Sequence, residues 1–154
     1  MYKRQILLKN EEEISLIKEG ADILGRVHGE VAQAMKPGIT TQQLDALAEV
    51  CIKDHGGEPS FKGYKKFPAT LCTSVNEYVV HGIPSNRVLQ EGDIVYVDCG
   101  VHYKGFHSDA AFTYSVGAVS NDVRQLLQVK KEALYYGICI NKACLLYTSP
   151  SPRD

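Results

Sequence analysis

Asp98 and Asp109 are the residues whose type and spacing point most directly to chemistry. They sit in the run Asp93-Ile-Val-Tyr-Val-Asp-Cys-Gly-Val-His-Tyr-Lys-Gly-Phe-His-Ser-Asp109. Asp98 follows a β-rich stretch, Ile94 to Val97, and Asp109 precedes another, Ala110 to Tyr114. Between them Tyr103-Lys104-Gly105 reads as a turn, so the segment predicts a β-hairpin. A hairpin closing symmetrically on Tyr103-Lys104 sets the two aspartates directly opposite each other on one face, with Cβ atoms roughly 4.5–5.5 Å apart. Carboxylates at that distance repel unless a proton or cation lies between them. Hard oxygen donors converging on one point suit a divalent metal, and a pair can clamp two. The same two residues could also be a solvated face or turn caps. The apolar residues before Asp98 favour the metal reading, because they predict a partly desolvated carboxylate, which is costly without a partner.

Upstream lies Thr70-Leu-Cys-Thr-Ser-Val-Asn-Glu-Tyr-Val-Val-His-Gly-Ile-Pro84. Cys72 to Glu77, Val80-His-Gly-Ile-Pro84, Glu91-Gly-Asp-Ile-Val95, Asp98 and Gly105-Phe-His-Ser-Asp109 follow one another in an order and spacing that resemble the type I methionine aminopeptidases. The resemblance runs from about Ile6 to Ala143. It implies an α+β chain forming the N-terminal half of the pita-bread fold, the methionine aminopeptidase and creatinase-like architecture. It also implies removal of the initiator methionine by a dinuclear site of two Asp, one His and two Glu. Asp98 would chelate one metal and Asp109 would bridge both; the His and both Glu have no counterpart in this chain. The metals implied are two divalent ions (cobalt, manganese, iron(II) or zinc).

By the same resemblance His81 is the active-site histidine that contacts the substrate near the scissile amide. Phe61, Tyr64, Phe67 and Cys72 match the pocket for the methionine side chain, which an apolar aromatic lining suits. Asn76 and Tyr78 match a segment whose backbone carbonyls hold a monovalent cation. The implied partners are nascent chains beginning with Met, with a transient ribosome contact and a cytoplasmic location. A proline-directed pita-bread peptidase and a non-catalytic pita-bread protein that binds peptides or partners remain alternatives. The intact Cys72–Glu77 and His81–Pro84 segments weigh against the first, and both aspartates against the second.

The rest of the chain frames these residues. With 154 residues, 44% hydrophobic and 23% charged, it has the make-up of a globular domain. A net charge of −1 gives no reason to expect nucleic acid or an anionic membrane as partner. Cys51, Cys72, Cys99 and Cys139 form no Cys-x-x-Cys pair, which argues against a zinc finger and for a reducing compartment. Cys51, Cys99 and Cys139 read as small buried hydrophobes.

Apolar residues at three- and four-residue steps predict a helix over Glu11–Lys36, closed by Pro37-Gly38. A second helix begins at Thr40, where Thr40-Thr-Gln-Gln43 matches a capping box, and stops at Gly56-Gly57. Residues 59–68 read as an aromatic, Lys-rich loop. A β region follows from Thr70 to Val116, broken at 82–91, and a third helix starts near Asn121.

The two ends stand apart. Tyr2-Lys-Arg-Gln5 and Cys144-Leu-Leu-Tyr147 can be encoded by inverted copies of one DNA sequence. Residues 1–5 and 144–154 are therefore read as translated adapter scars, excluded from fold reasoning, with 6–143 as half of a metallopeptidase catalytic domain.

Overall fold

The computed structural model describes residues 8–140; the suspected scars at 1–5 and 144–154 lie outside the described residues. The chain divides into two compact units, with the boundary between Val119 and Ser120.

The first unit begins with helix α1, Glu11–Ala34. Asn10 caps it: its side chain accepts from the Glu13 backbone while the Glu13 carboxylate accepts from the Asn10 N–H, both at 2.9 Å. Helix α2, Thr41–Asp54, starts on the predicted capping box of Thr40 and Gln43. Capping of this kind stabilises a helix by about 1 kcal/mol. The sheet has four antiparallel strands: β1 (Glu58–Pro59), β2 (Leu71–Val75), β3 (Ile94–Tyr103) and β4 (Phe106–Ser115). β3 is central, with β4 on one edge and β1 and β2 end to end on the other. The two-residue β1 falls where the sequence predicts only loop, too short for any period to show.

Alternation along β3 separates two faces. Val95, Val97, Cys99 and Val101 are fully buried and join Val27, Val31, Leu44, Ile52 and Leu71 in the core between sheet and helices. Tyr96, Asp98, Gly100 and His102 point the other way, and only Gly100 among them is buried. The predicted break in the β region is wider than expected, running from Asn76 to Asp93. That segment is fixed to α2: Thr41 Oγ1 donates to Ser85 O at 3.0 Å and accepts from Ser85 N at 2.9 Å.

The second unit carries α3, Asn121–Ile140. None of its residues is buried, and Leu126, Val129 and Leu134 are more than half exposed. Cys139 is exposed on this helix, which corrects its reading as a buried hydrophobe; Cys51 and Cys99 are buried as expected. No described helix is long and apolar enough to cross a membrane.

The hairpin does not close on Tyr103-Lys104. Tyr103 pairs with Phe106, leaving Lys104 and Gly105 as the two turn residues. Both have positive φ, 46° and 90°, as a type I′ turn requires, and Gly takes its second position without steric cost. Because this turn sets the register, Gly105→Ala should destabilise the chain by about 1–2 kcal/mol. Lys104→Asn should stabilise it, since Asn tolerates the left-handed conformation. Urea denaturation of the two variants against the parent checks both signs.

Candidate metal centre and substrate face

The observed register moves the aspartates. Asp98 pairs with Ala111, and Asp109 pairs with Gly100. The expectation of directly opposed carboxylates is therefore wrong by two residues, because the turn is centred one residue later than the symmetric closure assumed. Shifting the turn centre by one residue moves the register by two, so the shared face survives. Asp98 and Asp109 are diagonal neighbours, a relation with spacing of roughly 7–8 Å, somewhat less between Cβ atoms. Both lie inside strands rather than at strand ends.

Gly100 occupies the space between them. A Cβ there would lie 2.8 Å from the Phe61 ring and 2.9 Å from Ser60 Cβ. The absent side chain lets the loop carrying Phe61 settle onto the sheet beside both carboxylates. Ser60 N donates to Gly100 O at 2.9 Å and fixes that approach. Gly100 is a site residue the sequence reading missed, and its signal was available: a glycine inside an otherwise apolar strand marks a close approach.

Asp98 is half-buried, and its Oδ1 is buried with no hydrogen-bond partner. Burial raises its pKa above the usual carboxylate range, and the charge of Asp109 raises it further; His81 and the Cys99 backbone N–H pull the other way. Cys72 pairs with Asp98 across β2 and β3. Burial, then Asp98 and Asp109, push its thiol up to about 11, so it is a neutral, apolar neighbour at pH 7. An orphaned oxygen on a half-buried carboxylate, on the sheet face of a second carboxylate, fits a divalent cation: hard oxygen donors with a local excess of negative charge. Among the described residues no three His, Cys, Asp or Glu converge to hold a metal. The pair alone is an incomplete ligand set.

His81 stands on the loop beyond β2, at φ 59°. Gly82 holds it there. Its N–H donates to Ser74 Oγ at 3.1 Å, its carbonyl accepts from Thr73 N at 2.7 Å, and a Cβ at position 82 would collide with the Thr73 carbonyl. His81 is exposed and lines a cavity of about 410 Å³ with Thr73, Tyr78 and Ile83. Asn76, also left-handed at φ 55°, ties the start of the loop to β3: its amide donates to Asp93 at 2.8 Å and accepts from Ile94 N at 2.9 Å. Tyr78 is exposed, and its N–H donates to Val75 O.

Of the four residues matched to a side-chain pocket, the structure brings Phe61 and Cys72 to the aspartates. Phe67 is half-buried and Tyr64 is 65% exposed, on the same loop. That loop is anchored to α2 by residues the sequence reading passed over. Asp45 accepts from Thr70 N and Leu71 N at 2.9 and 2.7 Å, and Glu49 pairs with Lys62 at 2.7 Å. No sequence signal separated these anchors from an ordinary polar helix face.

Residues 15–143 match the model of metallopeptidase family M24. The chain belongs to this family. It is 48% identical over 133 residues to a methionine aminopeptidase of Clostridium perfringens, covering 86% of this chain and 53% of that protein. It is 46% identical to methionine aminopeptidase 1 of Bacillus subtilis, over 86% and 54% of the two chains. The crystal structure of methionine aminopeptidase from Thermotoga maritima superposes with a TM-score of 0.87 at 37% identity, over 90% of this chain and 56% of that one. An X-Pro aminopeptidase from the same organism superposes at 0.73 with 26% identity, over 88% and 37%. The chain therefore has the M24 pita-bread architecture, and it spans about half the length of the curated relatives it matches. Membership in a metallopeptidase family implies use of a divalent metal, in line with the unmet charge at Asp98.

Removing that charge should stabilise the metal-free chain. A carboxyl whose folded pKa lies above its unfolded value binds protons more tightly when folded, so stability falls as pH rises from the unfolded to the folded pKa. Asp98→Asn should raise the melting temperature at pH 7 in the presence of a chelator. The gain should vanish below about pH 3, where Asp98 is protonated in both states. A gain that is equal at both pH values would show that the charge is not its cause.

Proposed function

We propose that this chain supplies the substrate-facing part of a metal-dependent aminopeptidase that removes methionine from the amino terminus of nascent chains. The observation that carries the proposal is the unpartnered Asp98 oxygen on the sheet face shared with Asp109, walled by Phe61 at Gly100. Asp98 and Asp109 would hold the divalent ions (two in the complete enzyme, of cobalt, manganese, iron(II) or zinc), with one His and two Glu from outside this chain completing the set. Bound there, the ions would supply Lewis acidity and a hydroxide nucleophile near neutral pH.

The chain's own residues do the rest of the binding. Phe61 and the neutral Cys72 flank the carboxylates and offer an apolar, polarisable surface to an unbranched thioether. Phe67 and Tyr64 extend that surface along the loop. His81, held by Gly82 at the edge of β2, hydrogen-bonds the peptide beside the scissile amide. Backbone carbonyls near Asn76 and Tyr78 would accept a monovalent cation that stiffens the loop carrying His81.

The closer superposition on the methionine aminopeptidase of Thermotoga maritima than on its X-Pro aminopeptidase, a TM-score of 0.87 against 0.73, favours methionine over a proline-directed substrate. A non-catalytic role is the competing reading. It holds only if the remainder of the protein lacks the His and the two Glu.

The test uses the complete protein encoded around this sequence and a peptide beginning Met-Gly. Asp98→Ala and Asp109→Ala should each abolish turnover together with metal content. His81→Ala should keep its metal and lose activity on the order of 10²–10³-fold, the cost of one transition-state hydrogen bond. The 154-residue chain alone should show no turnover with any of the four metals. Asp109→Ala with both metals and near-normal turnover would contradict the assignment.

A further inference from the structure

One rung further along the same sheet face lies a second cluster of ligand-type side chains. His102 and His107 pair directly across β3 and β4. Their ring centroids are 4.6 Å apart and their planes differ by 31°. Each ring is oriented through its Nδ1. His107 Nδ1 lies 2.9 Å from Ser60 Oγ, and His102 Nδ1 lies 3.3 Å from the Glu58 carboxylate. Ser60 is itself fixed to Gly100, and Glu58 pairs with His102 in the β1–β3 register.

We propose that His102 and His107 form a two-imidazole binding site for a borderline divalent metal of the zinc, nickel or copper(II) class. It is separate from the Asp98–Asp109 pair and independent of the aminopeptidase reading. Three features support it. The Glu58 carboxylate can only accept, so His102 Nδ1 donates to it and that ring keeps its lone pair on Nε2, while Ser60 Oγ at His107 Nδ1 orients the second ring, as partners around a metal ligand do. The two rings project from adjacent strands of a tight hairpin, so little conformational freedom is lost on chelation. The face is open: His107 is exposed, and the Glu58 side chain is 78% accessible, which leaves room for water or an outside group in the remaining positions. Nitrogen donors select against the hard ions that suit two carboxylates. Zinc is open to both sites, so the double aspartate variant is what separates them.

Calorimetric titration of zinc(II) into the purified chain tests this, with parallel titrations of four variants whose fold is checked by circular dichroism. His102→Ala and His107→Ala should each weaken the zinc site at least tenfold, and His107→Gln should match His107→Ala. Glu58→Gln should weaken it by about tenfold, the low end for losing such a partner. The double variant Asp98→Asn/Asp109→Asn should keep the site. Unchanged zinc affinity in either alanine variant, or no zinc binding tighter than millimolar in the parent chain, would overturn the proposal. So would loss of the site in the double aspartate variant with both histidines intact.

Discussion

Asp98 is held partly out of water, beside a second carboxylate, with one oxygen that nothing in the described structure satisfies. Left alone, this is a fault in the fold: desolvation and like-charge repulsion both work against the ionised form. Every element around it maintains the fault rather than relieving it. The apolar rows of β3 drive one face into the helices and force Asp98 onto the other. The type I′ turn at Lys104-Gly105 sets the register that puts Asp109 on that same face. Phe61 is seated on Gly100, the next residue of that face. A bound cation would turn the same arrangement from a cost into a binding site, in line with membership of a metallopeptidase family.

The loops beside the aspartate pair are held at several points. Asp45 and Glu49 of α2 fasten the aromatic loop at its two ends, and Thr41 fastens the loop that carries His81. Backbone strain collects there as well, at Lys65, Lys66, Asn76 and His81. Left-handed non-glycine residues persist only where surroundings over-determine them. Both loops flank the aspartate pair, and His81 lies near enough to lower the pKa of Asp98.

Much of this was legible in the sequence because the signals were local. Apolar periodicity set α1, the capping box at Thr40 set the start of α2, and the β-rich run Ile94 to Val97 set β3. The aspartates stood out because carboxylates inside such strands need a reason. The register was misjudged because hairpin closure depends on which two residues take positive φ, and Lys104 carries no strong preference for it. Asp45 and Ser60 were missed for a different reason. Their roles exist only through partners 25 and 47 residues away, which no local pattern encodes. Cys139 on α3 was misread because the small, apolar character of cysteine predicts burial only where something covers the residue.

The central claim is that Asp98 and Asp109 together create a cation site. Manganese(II), a hard ion that broadens nuclear resonances near its binding point, tests it directly. Titrated at substoichiometric levels into isotopically labelled chain at pH 7, it should first broaden the amides of residues 98–100 and 109–111 and the ring of Phe61. That broadening should disappear in Asp98→Asn/Asp109→Asn. Broadening confined to other acidic residues, such as Glu11–Glu13, or broadening of the 98–100 segment that survives the double substitution, would contradict the account.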